Sequence, residues 1–109
     1  MRLDRNLNKQ GKYILIKARD LEKHKPSPAF GDTKVMEAMR VLENAGLLVY
    51  STPGTEDEFF VIKLKDRFAQ PALMRYVESA LPWDDEYAKE VAELGRRAGM
   101  MSPFVKYPD

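Results

Sequence analysis

Glu58-Phe59-Phe60-Val61-Ile62-Lys63-Leu64-Lys65 is the stretch on which the reading of this chain turns. It is the most apolar and most strand-like run. Turn residues Ser51-Thr52-Pro53-Gly54-Thr55 precede it, and Asp66, suited to opening a helix, follows it. Successive strand side chains point to opposite faces, so Phe60, Ile62 and Leu64 would share one wholly apolar face. Phe59, Val61, Lys63 and Lys65 would share the other. The first face predicts burial. The second is apolar at one end and cationic at the other, which predicts either a covering helix or a partner.

Working outward, Gly11 precedes Lys12-Tyr13-Ile14-Leu15-Ile16-Lys17-Ala18, a second run of the same kind. Ile14, Ile16 and Ala18 alternate with Tyr13, Leu15 and Lys17. Strands that share a pattern tend to share a buried face, so 12–18 and 58–65 are expected side by side. Leu47-Leu48-Val49-Tyr50 reads as a short third strand, joined to 58–65 through the Pro53-Gly54 turn region.

Helical spacing supplies the remaining elements. Pro26, Ser27, Pro28 and Gly31 interrupt 19–33, leaving room for one short turn over 20–25. Asp32 or Thr33 can cap a helix running to about Asn44, with Val35, Met36, Met39, Leu42 and Ala45 on one stripe and Gly46 as its stop. A second helix is expected from near Gln70, because Pro71 is tolerated only in a first turn, and Pro82 ends it. Its stripe is Ala69, Leu73, Tyr76, Val77 and Ala80. A third opens at Asp84-Asp85-Glu86, buries Tyr87, Val91, Leu94 and Ala98, and stops at Gly99. The expected fold is therefore α+β: a three-stranded, mainly antiparallel sheet with about three helices packed on it, in the order strand-helix-strand-strand-helix-helix. It is read as a single domain over 1–109, with a mobile arm at 1–10 and an irregular tail at 100–109 pinned by Phe104 and Tyr107.

Composition narrows the class. At 109 residues, 44% hydrophobic and 32% charged, the chain suits a soluble domain with one core. No apolar run is long enough to cross a bilayer, and Met1-Arg2-Leu3-Asp4-Arg5-Asn6 has no signal-peptide centre. With no cysteine, nothing requires an oxidising compartment, and the cytoplasm is the expected location. Net charge is only +1, laid out as basic, acidic, basic and acidic blocks over 1–26, 27–58, 59–75 and 76–109. A duplex-binding domain usually carries a clearer basic excess.

Catalytic and metal chemistry is sparse. His24 is the only histidine, with Ser27 its nearest candidate nucleophile, and there is no cysteine to complete a zinc site. The glycines are scattered rather than gathered into a phosphate loop. Glu86, Glu90 and Glu93 fall on one helix face, where a hard cation could bind, but such rows are commonly solvated surface. The expectation is a non-enzyme with no catalytic residues, no cofactor and no metal.

Binding remains. Up to residue 81, the expected element order resembles a ferredoxin-like or RNA-recognition fold, which would make Tyr13, Lys17, Phe59, Lys63 and Lys65 a base-stacking face. The Gly-Phe octamer of that fold is missing, and a helix stands in place of its fourth strand. Residues 33–46 followed by a hairpin resemble a winged helix, although no helix pair precedes them and the outer face (Lys34, Glu37, Arg40, Glu43) is mixed in charge. A protein partner fits better, through the same five residues, through methionines as adaptable contacts, or through a strand edge at 47–50 or 12–18 that could also join two copies.

Gly54-Thr55-Glu56-Asp57-Glu58-Phe59-Phe60-Val61-Ile62-Lys63-Leu64-Lys65-Asp66, with Asp84-Asp85-Glu86-Tyr87-Ala88 and Glu90-Val91-Ala92-Glu93-Leu94, resembles small uncharacterised proteins encoded in bacteriophage and prophage genomes. The ending Ser102-Pro103, Lys106, Pro108-Asp109 is similar too. The resemblance implies a bacterial cytoplasmic setting and an accessory role by binding a host or phage macromolecule. It supplies no functional residues. The sequence thus predicts a small non-enzymatic protein acting by protein–protein contact, with nucleic acid as the alternative partner.

Overall fold

The computed structural model describes residues 11–108, so the arm expected at 1–10 lies outside the described residues. Three α-helices and two 3₁₀ segments make up the regular structure among the described residues. The chain divides into two compact units, Leu15–Phe60 and the pair of stretches Met1–Ile14 with Val61–Asp109.

In Leu15–Phe60, a 3₁₀ segment over Ala18–His24 begins where the Lys17 carbonyl accepts the Asp20 amide at 2.9 Å. Residues 27–31 then close a tight loop, with Ser27 and Gly31 exchanging both backbone hydrogen bonds. Helix α1 spans Lys34–Asn44. Thr33 starts it in extended backbone: its hydroxyl accepts the Met36 amide at 3.2 Å and donates to the His24 carbonyl at 2.7 Å. One threonine thus caps the helix and fastens it to the end of the 3₁₀ segment. Val35, Met36, Met39 and Leu42 are half-buried along one stripe. At the far end Gly46 takes φ 73°, its amide reaches Glu43, and the Leu47 amide reaches back to Leu42. That is a Schellman stop, which needs a residue at ease in left-handed backbone.

In the other unit, α2 (Ala69–Ala80) and α3 (Asp85–Gly95) form an antiparallel hairpin and make the most extensive helix–helix contact. Asp66 shapes the approach to α2 by accepting the Phe68 amide at 2.7 Å, and Pro71 falls in the first turn, where it is harmless. After α2, Trp83 and Asp84 amides both return to the Ala80 carbonyl. Asp84 then caps α3 through the Tyr87 amide at 3.0 Å. Loss of this cap in Asp84→Ala is expected to cost about 1 kcal/mol, measured by urea denaturation.

Small side chains let the two helices close. Ala69, Ala88 and Ala98 are fully buried, with Tyr87 and Val91 nearly so. At Gly95, an added Cβ would lie 3.0 Å from the Met74 sulfur. A second 3₁₀ turn, Gly99–Met101, follows. From there the tail runs back along 64–67: the Gly99 amide donates to Leu64, the Lys106 amide to Lys65, and the Arg67 amide to Lys106. Tyr107 is held edge-on to Phe68 and under the Arg67 guanidinium, 5.0 Å from the ring centroid, whereas Phe104 is exposed.

The expected α+β fold is overturned. No strand and no sheet exist among the described residues; only two isolated bridges occur, Ser27 with Gly31 and Asp66 with Lys106. Residues 13–17, 47–50 and 58–63 form neither helix nor ladder. At the ends of two of these runs the backbone groups are committed elsewhere. The Ser51 hydroxyl donates to the Phe59 carbonyl at 2.8 Å and accepts the Phe59 amide at 2.9 Å, taking both groups a ladder would use. The carbonyls of Lys63, Leu64 and Lys65 serve the Asp66, Gly99 and Lys106 amides, and that of Lys17 serves the 3₁₀ turn. Alternating apolar residues favour extended backbone, but a strand also needs a neighbour whose amides are available.

Candidate binding surfaces

The five residues predicted to form a contact face divide between the two units. Tyr13, Lys63 and Lys65 belong to one, Lys17 and Phe59 to the other. Tyr13 is exposed, with the Lys12 ammonium 5.6 Å from its ring centroid. Lys17 is exposed immediately before the 3₁₀ segment. Phe59 is half-exposed, its backbone fastened by Ser51. Lys63 is exposed, and Lys65 is half-buried where the tail crosses it. With no sheet, these side chains do not alternate across a pleated face, and the base-stacking geometry drawn from strand order has no basis here.

The same stretches carry exposed apolar groups instead. Ile14 is 75% exposed and Phe60 87%, flanked by exposed Tyr13, Leu15 and Ile16 on one segment and Phe59, Val61 and Ile62 on the other. No backbone hydrogen bond joins 13–16 or 60–62 to another described residue. Each segment therefore offers hydrocarbon together with amides and carbonyls that no described backbone group engages. The 51–59 loop behind the second is stiffened by Ser51 and by Glu58, whose carboxylate accepts the Gly54 amide at 3.1 Å.

At the α2–α3 turn, Tyr76, Ser79, Ala80, Trp83 and Tyr87 line a shallow cavity of about 270 Å³. Tyr87 is its buried floor, and Trp83 stands exposed at its rim. The Tyr76 and Tyr87 rings meet edge to face at 6.1 Å and their hydroxyls are 2.9 Å apart. The hydrogen bond with Tyr76, then burial, then the Tyr76 and Glu90 charges hold the Tyr87 hydroxyl protonated, its pKa pushed up to about 12. Sequence periodicity put Tyr76 and Tyr87 on buried stripes and left Trp83 without a role. The available signal was three aromatics gathered around a helix–turn–helix junction.

Elsewhere the chemistry is local and structural. No group of three or more metal-ligating side chains gathers among the described residues, Glu86, Glu90 and Glu93 included. His24 is exposed at the end of the 3₁₀ segment, and the Ser27 hydroxyl accepts the Phe30 amide. On α1, Arg40 is ion-paired with Asp32, which raises its pKa through a hydrogen bond and charge attraction. The helix face proposed as a recognition surface thus stays mixed in charge. No helix among the described residues is long and apolar enough to cross a membrane. The chain matches no family model, no curated protein and no solved structure among those searched.

Proposed function

We propose that the chain is a small binding module rather than an enzyme, acting by protein–protein contact through its extended apolar segments. The observation that supports this reading is the segment 59–62, with exposed Phe59, Phe60, Val61 and Ile62 on backbone that pairs with no described neighbour at 60–62. Exposed contiguous hydrocarbon is costly in water and commonly marks a contact surface. A segment in neither helix nor ladder, whose amides and carbonyls pair with no described neighbour, suits addition to the edge of a partner's sheet, where main-chain hydrogen bonds give affinity and alternate side chains give specificity. Residues 13–16 offer the same features. Lys17, Lys63 and Lys65 at the segment ends would favour an acidic rim on the partner. The reading places the protein in a bacterial cytoplasm, as a phage or prophage accessory factor, and a second copy is one partner that a strand edge could take.

The test compares the natural chain with a Phe60→Glu/Ile62→Glu variant in affinity capture from bacterial lysate. Both sites face solvent, so the variant should fold, as circular dichroism would verify. A protein retained by the natural chain and reduced at least about tenfold by the variant is the expected result. Equal recovery would overturn the assignment of the segment. Nucleic acid is separated by titrating single-stranded and duplex DNA and RNA at two salt concentrations. Binding that weakens steeply with salt and is lost in Lys63→Glu/Lys65→Glu would put nucleic acid in the protein's place.

A further inference from the structure

We propose that residues 59–63 pair with the same residues of a second copy, as an antiparallel ribbon about a two-fold axis at Val61. The inference rests on the reading of this segment as a contact surface and names its partner.

The open hydrogen-bonding groups are the set such an axis uses. The Ser51 hydroxyl holds the Phe59 amide and carbonyl, and the Lys63 carbonyl accepts the Asp66 amide. The amides and carbonyls of Phe60 and Ile62 pair with no described residue. In a strand, residues two apart turn these groups to one edge and the residues between them use the other. Once paired, Phe60 and Ile62 therefore share an edge that the Ser51 clasp on Phe59 does not occupy. With Val61 facing the copy's Val61, each Phe60 faces an Ile62, and each such pair exchanges both main-chain hydrogen bonds.

The side chains suit the same register. Phe60, 87% exposed, lies beside the copy's Ile62 on one face, covering hydrocarbon that each copy alone leaves in water. On the other face the two Val61 side chains meet, flanked by Phe59 beside the copy's Lys63, where an ammonium can sit over a ring.

Charge selects this partner and its direction. The segment is acidic on entry, at Glu56, Asp57 and Glu58, and basic on exit, at Lys63 and Lys65. Asp57, Lys63 and Lys65 enter no ion pair among the described residues. Antiparallel pairing sets the acidic end of each copy beside the basic end of the other, whereas parallel pairing sets like beside like. The other apolar run lacks this self-complementarity. It has Lys12 at one end and Lys17 at the other, so antiparallel pairing with its own copy brings lysine to lysine. A contact this small suits a weak, concentration-dependent dimer.

The chain has no cysteine, so one introduced thiol reports on one position. Facing residues of a non-hydrogen-bonded pair have Cα atoms about 4.5 Å apart, within disulfide reach. Residue 63 is offset from its counterpart by four residues, about 13 Å along the ribbon and out of reach. In oxidised glutathione the full-length Val61→Cys chain should therefore form a disulfide dimer at least about fivefold faster than Lys63→Cys. Sedimentation velocity of the natural chain from about 10 µM to 1 mM should show reversible dimerisation. Val61→Lys, which sets two ammonium groups together at the axis, should weaken it at least about tenfold with an unchanged circular dichroism spectrum. A chain monomeric throughout, equal cross-linking at 61 and 63 (the pattern of parallel pairing), or undiminished association of Val61→Lys would each overturn the proposal. A monomeric chain whose lysate partner still depends on Phe60 and Ile62 would overturn the second copy and leave the contact reading standing. Dimerisation and lysate recovery both unaffected by Phe60→Glu/Ile62→Glu would overturn the two together.

Discussion

Gly99→Val is expected to lower the stability of the α2–α3 unit by about 2–5 kcal/mol, enough to unfold a marginal domain near room temperature. Two independent costs combine. Gly99 sits at φ 56°, in left-handed backbone that a β-branched residue adopts only under strain. A Cβ there would also lie 3.0 Å from the Arg67 carbonyl oxygen and 3.1 Å from the Gln70 amide nitrogen, groups of the backbone that cannot swing aside. The Gly99 amide meanwhile donates to Leu64 at 2.7 Å, so relieving the clash would break the contact that turns the tail toward 64–67. Gly95→Ala provides the contrast. Its new methyl would meet only the flexible end of Met74, and its gain in helix propensity is about 1 kcal/mol. Its stability should change by less than about 1 kcal/mol in either direction. Thermal and urea denaturation of the two variants would separate backbone obstruction from side-chain adjustment.

Tyr87→Ala should cost about 3–5 kcal/mol, measured the same way, because it removes a buried ring between two helices. It also removes the edge-to-face pairing with Tyr76, a geometry worth about 0.5–1.5 kcal/mol beyond burial. Tyr87→Phe keeps the ring and loses the hydroxyl contact, so about 1 kcal/mol is expected. The pH dependence follows from the same contact. The Tyr87 hydroxyl has its pKa raised from 10.0 to about 12 in the folded state. A proton held more tightly by the folded chain stabilises it fully below about pH 10, and that contribution fades as pH rises through about 12. The natural chain should therefore lose stability over that interval more steeply than Tyr87→Phe.

Local signals were legible where one short stretch contains all the partners an element needs. Thr33 and Asp84 cap helices that begin one residue later, and α1 stops at Gly46, whose amide bonds Glu43 while the Leu47 amide bonds Leu42. The stripe through Tyr87, Val91 and Ala98 is the buried one. The 58–65 and 12–18 runs misled for the complementary reason. Their alternation describes a preference for extended backbone, but a sheet is decided by partners remote in sequence. Ser51 engages both backbone groups of Phe59, and the tail engages those of Leu64 and Lys65. Neither competition is visible in periodicity.

The candidate surfaces divide in the same way. Tyr13, Lys17, Phe59, Lys63 and Lys65 were chosen as one pleated face, and without a pleat they divide between the two units. Trp83 had no periodic role, yet the turn between α2 and α3 sets it beside Tyr76 and Tyr87. By itself the sequence determined the three α-helices, the start of α1 at Asp32 or Thr33, the acidic opening of α3 and its stripe through Tyr87, Val91 and Ala98, because these depend on neighbours within a few turns. Only the tertiary structure decided that the apolar runs remain unladdered and that three aromatics share a notch, because hydrogen-bond partners and ring neighbours far apart in the chain are assigned by packing.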